Sequence, residues 1–127
     1  MSNGQHLVVD FWDCPKDLAS SKEKLTGILK LAAKESGAVV LGQKVFQFSA
    51  QGGFTRQLAG GKNSGTTTVV LFEDSHIIAH VNLKNKYIAI DIYTCGAKTD
   101  PKKSFIYLKK ELNPKRVKFW LMKRGVA

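Results

Sequence analysis

Between Thr66 and Val81 the chain carries two strand-forming runs, Thr66–Phe72 and Ile77–Val81, separated by the polar group Glu73-Asp74-Ser75-His76. Both runs are rich in β-branched residues, which suit a pleated, half-buried surface. Polar side chains set between two such runs need hydrogen-bond partners, so this point is either a surface bulge or a site. The reading is a third strand over Thr66–Phe72 that Ile77–Val81 continues beyond the polar group. A sheet must therefore pass through the neighbourhood of Ser75.

The remaining segments surround that strand. Gly4 to Phe11 alternates weakly about an apolar centre and predicts a first strand, and Asp13–Asp17, with Pro15, predicts a turn. Leu25, Ile28, Leu29, Leu31, Ala32 and Ala33 recur at helical spacing, which predicts a helix over Lys22–Glu35. Ser20 or Ser21 can cap its start and Gly37 its end. Val39–Phe48 predicts the second strand. The stretch from Ser49 to Gly65, with five glycines, is too long for a tight hairpin. Tyr87–Tyr93 predicts the fourth strand, after a polar turn over Asn82–Lys86. Asp100-Pro101 opens a second helix, with Asp as cap and Pro at the first helical position, and Asn113-Pro114 stops it. Arg116–Met122 predicts a last strand. The fold class is α+β, a two-layer sandwich with two helices on one face of an antiparallel sheet. With 127 residues and no linker or repeat, a single domain over 1–127 is expected.

Charge and cysteines narrow the function classes. The formal net charge is +10, and ten of the basic residues lie from Lys98 onward against Asp100 and Glu111. A basic tail of this kind suits an acidic surface or a solvated helix face. No zinc-finger, KH or RNP-type signature accompanies it, so nucleic acid is not expected as a partner. The apolar runs are too short for a secretory leader or a membrane span, and the protein is read as soluble and cytoplasmic. Cys14 and Cys95 are too few for a disulfide framework or a four-ligand zinc site. Cys14 reads as a small buried hydrophobe.

Candidate chemistry gathers around Ser75. His76 follows it directly, His80 stands five residues on, and Cys95 stands twenty residues on, at the end of the next strand. Taken alone, this set is weak. Ser-His is a common dipeptide, and a strand histidine is more often structural than catalytic. Metal binding by His76, His80 and Cys95 has no CxxC or HExxH spacing behind it, so no metal is expected. The G-x-S-x-G elbow of a serine hydrolase is absent.

Nearly end to end, however, the chain resembles the short prokaryotic S-adenosylmethionine decarboxylase proenzymes. The resemblance is carried by Gly4-Gln5-His6-Leu7-Val8-Val9-Asp10-Phe11 with Cys14 after it, and by Glu35-Ser36-Gly37-Ala38. Asp74-Ser75-His76 with His80 mirrors the family's Glu-Ser-His and second His. Thr94-Cys95-Gly96, Asp100-Pro101-Lys102-Lys103 and Pro114-Lys115-Arg116-Val117 follow in family order.

The resemblance implies self-cleavage between Asp74 and Ser75, with Ser75 as precursor of a pyruvoyl group that takes the substrate amine as a Schiff base. It implies that His80 abstracts a proton during processing, that Thr67 assists processing, and that Cys95 is the proton donor of the decarboxylation. Phe48 matches an aromatic that stacks on the substrate adenine. A homodimer with sites shared across the interface, serving polyamine synthesis, is implied as well.

Three departures bear on this expectation. Asp74 stands where the family has Glu. After His80 the family reads Thr-Trp-Pro-Glu, whereas this chain reads Val81-Asn82-Leu83-Lys84. The Trp would stack on adenine and the Glu would hold the ribose, so one wall of the nucleoside pocket is lost. The Gly52–Gly65 region is also longer than the family pattern, by about 13 residues. S-adenosylmethionine is the family's default substrate. L-arginine or L-ornithine is the alternative, with Glu73 as a candidate for the acid such a substrate needs. A catalytically silent copy that binds a partner is a further alternative, against which the joint presence of Ser75, His80 and Cys95 argues.

Overall fold

The computed structural model describes residues 3–48, 64–96 and 98–126. In chain order their elements are β1 (Gly4–Trp12), α1 (Lys16–Ser20), α2 (Lys22–Glu35), β2 (Val40–Phe48), β3 (Gly65–Phe72), β4 (Ser75–Asn82), β5 (Tyr87–Cys95), α3 (Pro101–Leu112) and β6 (Arg116–Arg124). The strands form one antiparallel sheet in the order β2-β3-β4-β5-β1-β6. The long helices α2 and α3 pack on each other and on one face of the sheet. This is the expected α+β sandwich.

The two long helices begin where short polar side chains satisfy free backbone N–H groups. Ser21 Oγ accepts from Lys24 N at 3.2 Å, and Asp100 Oδ1 accepts from Lys102 N at 3.0 Å, with Pro101 at the first helical position. Asn113, in the left-handed region at φ 43°, ends α3. Beyond α2, Gly37 at φ 98° comes so close to Lys98 that an added Cβ would lie 2.7 Å from its carbonyl oxygen. That approach, with Asp100 N donating to Ser36 O at 3.0 Å, ties the end of α2 to the segment before α3.

Period-two alternation divides the sheet into two faces. Leu7, Val9 and Phe11 of β1, Val70 and Phe72 of β3, Ile77, Ala79 and Val81 of β4, and Ile88, Ile90 and Ile92 of β5 point under the helices. They meet Leu25, Leu29, Ala32 and Ala33 of α2 and Leu108 and Leu112 of α3. The intervening residues form an open face that no helix covers.

Two expectations are corrected. Thr66–Val81 is not one strand continued past a polar group: the chain reverses at Glu73-Asp74, and Phe72 pairs with Ser75. Asp74 takes φ 41°, which lets the two-residue turn close. Asp13–Asp17 is not wholly a turn, since α1 begins at Lys16. Of the long Ser49–Gly65 stretch, residues 49–63 lie outside the described residues, and Gly65 opens β3. No helix among the described residues is long and apolar enough to cross a membrane.

Leu29 is fully buried between α2 and the sheet. Leu29→Ala is expected to lower stability by about 2–5 kcal/mol, through lost burial and the cavity left behind. A urea unfolding series read by circular dichroism checks it.

Candidate active site

The β3–β4 turn places Ser75 as the first residue of β4, against the end of β5. Ser75 is buried on the helix side, and its Oγ accepts a hydrogen bond from Cys95 N at 3.1 Å. Cys95 points to the other face, where its thiol donates to the carbonyl oxygen of Asp74 at 3.2 Å. One residue thus holds both sides of the Asp74–Ser75 peptide bond: its backbone holds the serine hydroxyl and its side chain holds the carbonyl. A donor on that oxygen polarises the carbonyl towards attack at carbon.

Beside this bond lies a cavity of about 530 Å³. Val39, Phe72, Asp74, Cys95, Gly96 and Lys98 contribute to its walls. Its size falls within the usual range for a small-molecule site.

The other predicted site residues lie on the open face, away from Ser75. Thr67 and His80 are cross-strand partners, and Thr67 Oγ1 and His80 Nδ1 are hydrogen-bonded at 2.9 Å. In the tautomer that donates Nδ1–H to Thr67, the exposed ring offers a free lone pair at Nε2. His80 lies five residues along β4 from Ser75, about 16 Å in an extended chain, and on the opposite face. Within this chain the structure brings Cys95 and Asp74 to Ser75 and leaves Thr67 and His80 apart from it.

Phe48 ends β2 opposite Gly65, whose partner across β3 and β4 is Asn82. Phe48, Asn82 and Tyr87 therefore share the end of the open face near His80. Asn82 Oδ1 accepts from Asn85 N at 3.2 Å and so closes the β4–β5 turn, which also carries the exposed Lys84. Glu73 lies in the β3–β4 turn and lines the cavity.

Sequence reasoning missed a cluster at the opposite end of the same face. His6 of β1, His76 of β4, and Asp91 and Tyr93 of β5 meet there. His6 Nε2 is hydrogen-bonded to Asp91 Oδ1, and His76 Nε2 lies 3.5 Å from the same oxygen. The two histidines and Asp91 can bring three ligand atoms within 4.8 Å of one another. Arg124, however, donates to His6 Nδ1 at 2.9 Å, so the proton of a neutral His6 sits on Nε2 and is directed at Asp91. A metal at Nε2 would need the opposite tautomer facing a cation. The cluster is better suited to hydrogen bonding than to coordination. His76 and His80, four residues apart on one strand, are about 13 Å apart and cannot share an ion. The signal for the cluster was available: His6, His76, Asp91 and Tyr93 all occupy the outward phase of their strands.

Burial raises two groups well above their ordinary values. The Cys14 thiol is pushed up to about 11, by burial first and by Asp13 second. The Tyr87 phenol is pushed up to about 12, by burial and then by its hydrogen bond to Asp10 Oδ1 at 2.5 Å.

Known proteins resemble this chain over nearly its whole length. Residues 5–125 match the profile of the S-adenosylmethionine decarboxylase family. An S-adenosylmethionine decarboxylase proenzyme from Thermotoga petrophila is 34% identical over 124 residues, covering 98% of this chain and 85% of the relative. One from Thermosipho africanus is 33% identical over 116 residues, covering 91% and 79%. The crystal structure of the adenosylmethionine decarboxylase from Aquifex aeolicus superposes with a TM-score of 0.81 at 25% identity, covering 99% of this chain and 93% of that one. The chain belongs to the S-adenosylmethionine decarboxylase family.

The two cysteines should differ sharply in reactivity. Cys95 is partly exposed, whereas Cys14 is buried and holds its proton through the neutral range. Iodoacetamide at pH 8 is expected to alkylate Cys95 and leave Cys14 unmodified, as peptide mass mapping of the folded protein would reveal.

Proposed function

We propose that this chain is a proenzyme that cleaves itself between Asp74 and Ser75 to become a pyruvoyl-dependent decarboxylase of polyamine biosynthesis. S-adenosylmethionine, the substrate in its relatives' names, is the first candidate. The observation that carries the reading is the double hold of Cys95 on Ser75 Oγ and the Asp74 carbonyl. That arrangement suits the first step, in which Ser75 Oγ attacks the Asp74 carbonyl carbon. The C–N bond then breaks, the freed nitrogen takes a proton, and an ester links the two parts of the chain. Removal of the Cα proton of Ser75 expels residues 1–74 as a carboxylate. Water replaces the nitrogen of the residual dehydroalanine, and ammonia leaves.

The ketone so formed supplies the electron sink that amino-acid decarboxylation requires. The residues present suit that group, since Cys95 stands beside the atoms that would become it and a cavity adjoins them. Cys95 delivers a proton to the substrate carbon that loses carbon dioxide; a thiol is a competent donor near neutral pH.

The base that removes the Cα proton comes from a second copy. His80 is remote from Ser75 within the chain, yet exposed on the uncovered sheet face with its ring fixed by Thr67. A cytoplasmic homodimer joined through that face would bring His80 of the partner subunit to Ser75. Phe48 would reach the substrate from the partner as well.

L-Arginine or L-ornithine is the second reading of the substrate. Asn82 is engaged in its own turn and has no aromatic face, and Lys84 is a cation. A small amino acid does not need the nucleoside contacts that these positions lack.

Denaturing intact mass of the purified protein is expected to show fragments 1–74 and 75–127, and Ser75→Ala a single uncleaved chain. Cyanoborohydride trapping with S-adenosylmethionine, arginine or ornithine identifies the substrate by the mass added to the 75–127 fragment. An uncleaved wild-type chain that takes no adduct would sink the proposal.

Sharing of the site has its own test. His80→Ala alone is expected to slow cleavage by about 10²–10⁴-fold. Co-expressed with Ser75→Ala chains, the His80→Ala chains should be cleaved again, because the mixed dimer contains one complete site. Failure of that rescue, with mixed dimers verified, would place the base within a single chain.

A further inference from the structure

Tyr93 has no part in the chemistry described so far. It lies two residues before Cys95 on β5, so both side chains project from the open face. Its ring is held on several sides. The His76 ring stacks on it with centroids 5.9 Å apart, and the His6 ring meets it edge-on at 5.7 Å. The Arg124 guanidinium lies 5.8 Å from the ring centroid.

So held, the ring runs across Gly4, the cross-strand partner of Cys95. A Cβ at Gly4 would lie 2.7 Å from the Tyr93 hydroxyl and 2.9 Å from Cζ. Only a residue without a side chain at position 4 admits the phenol there. The neighbouring Cys95 thiol is the first cause that raises the phenol pKa, ahead of desolvation and the Cys95 and Asp74 charges, while Arg124 opposes the rise.

We propose that Tyr93 is a positioning residue for Cys95: its hydroxyl, admitted by Gly4 and braced by His6 and His76, orients the thiol and donates to the sulfur once the thiol has given up its proton. The catalytic half of this statement rests on the reading of Cys95 as proton donor. When Cys95 delivers its proton, the S–H bond breaks, a C–H bond forms on the substrate, and the electron pair stays on sulfur. The charge left on sulfur needs a hydrogen-bond donor. Tyr93 O–H supplies that donor, and the sulfur regains a proton from water. Among the described residues, the other charged or titratable groups near Cys95 include Glu73 in the β3–β4 turn, Arg124 on β6, His6 on β1, His76 on β4, and Lys98 after β5. None of these is removed when the Tyr93 hydroxyl is deleted, so that deletion isolates its role.

The experiment is the pH dependence of Cys95 alkylation by iodoacetamide in the full chain, followed by mass spectrometry, for wild type and Tyr93→Phe. The phenylalanine keeps the ring between the two histidines and removes one oxygen. The alkylation midpoint is expected to rise by about half a pH unit or more, since a hydrogen bond to a charged group is lost. Gly4→Ala, whose Cβ would press on the phenol and also on the Thr94 carbonyl oxygen at 2.9 Å, should raise it in the same direction at an unchanged Tyr93. Thermal unfolding of each variant verifies that it is folded. In the processed enzyme Tyr93→Phe should lower kcat with little change in KM. A midpoint that stays in place or falls in folded Tyr93→Phe overturns the proposal. Alkylation reads the thiol in cleaved and uncleaved chain alike, so this failure is separate from failure of self-cleavage, which the intact mass reports.

Discussion

A sheet covered by helices on one face only forces every strand residue to one of two fates, and the period of two decides which. In β4 the odd positions from Ser75 to Val81 are buried under α2 and α3, while His76, Ile78, His80 and Asn82 project from the open face. His80 stands five positions after Ser75, an odd offset that puts it on the other face, so no adjustment of side-chain rotamer can unite them within one chain. A reaction that needs both must be completed from outside. The open face is also where Thr67, Phe48, Tyr93 and Cys95 project, which makes it the place where a second subunit has the most to contribute. In the proposed reaction, the same alternation that builds the core would divide the chemistry between two copies of the chain.

Cys95 escapes that division because a residue has a backbone as well as a side chain. Its N–H lies in the plane of the sheet and reaches the buried Ser75 hydroxyl, and its thiol serves the open face. The geometry depends on the β3–β4 turn being two residues long, with Asp74 at φ 41°. Asp tolerates the left-handed region better than a longer acid does, because its short side chain can bond locally. Asp74 in place of the family's Glu is thus compatible with a tight turn, and the carbonyl that the proposed cleavage attacks is a backbone group in either case. Two neighbouring features complete the setting: Gly4 leaves room for the Tyr93 phenol, and the segment before α3 is anchored to Gly37 by close approach.

Local rules were enough to read the helices. The 22–35 helix was legible from its spacing, Ser21 and Gly37, and the 101–112 helix from Asp100-Pro101 and Asn113. The turn at Glu73-Asp74 was not, because it contains neither glycine nor proline and is flanked by residues that prefer strands on both sides. The short helix α1 was hidden by Pro15 and by its length of 5 residues. Ser75 and Cys95 could be paired only through motif order, since register depends on side-chain packing far along the chain. The His6–His76–Asp91–Tyr93–Arg124 cluster draws on four strands and spans 118 residues between His6 and Arg124. No local window contains it.

The substrate question turns on what the remaining open-face residues can still do. Phe48 provides one aromatic surface, but Asn82, its neighbour across β3, has its side-chain oxygen committed to the backbone of Asn85. A purine stacked on Phe48 would meet an amide rather than a second ring, and base stacking on an aromatic is worth roughly 1–3 kcal/mol. Lys84 adds a positive charge to a turn where a sulfonium substrate would gain from a negative one. In the proposed reading, these differences would weaken nucleoside binding and leave Ser75 and Cys95 unaffected. On that reading, bond-making chemistry and substrate choice occupy different strand positions, so a change in one can proceed without disturbing the other.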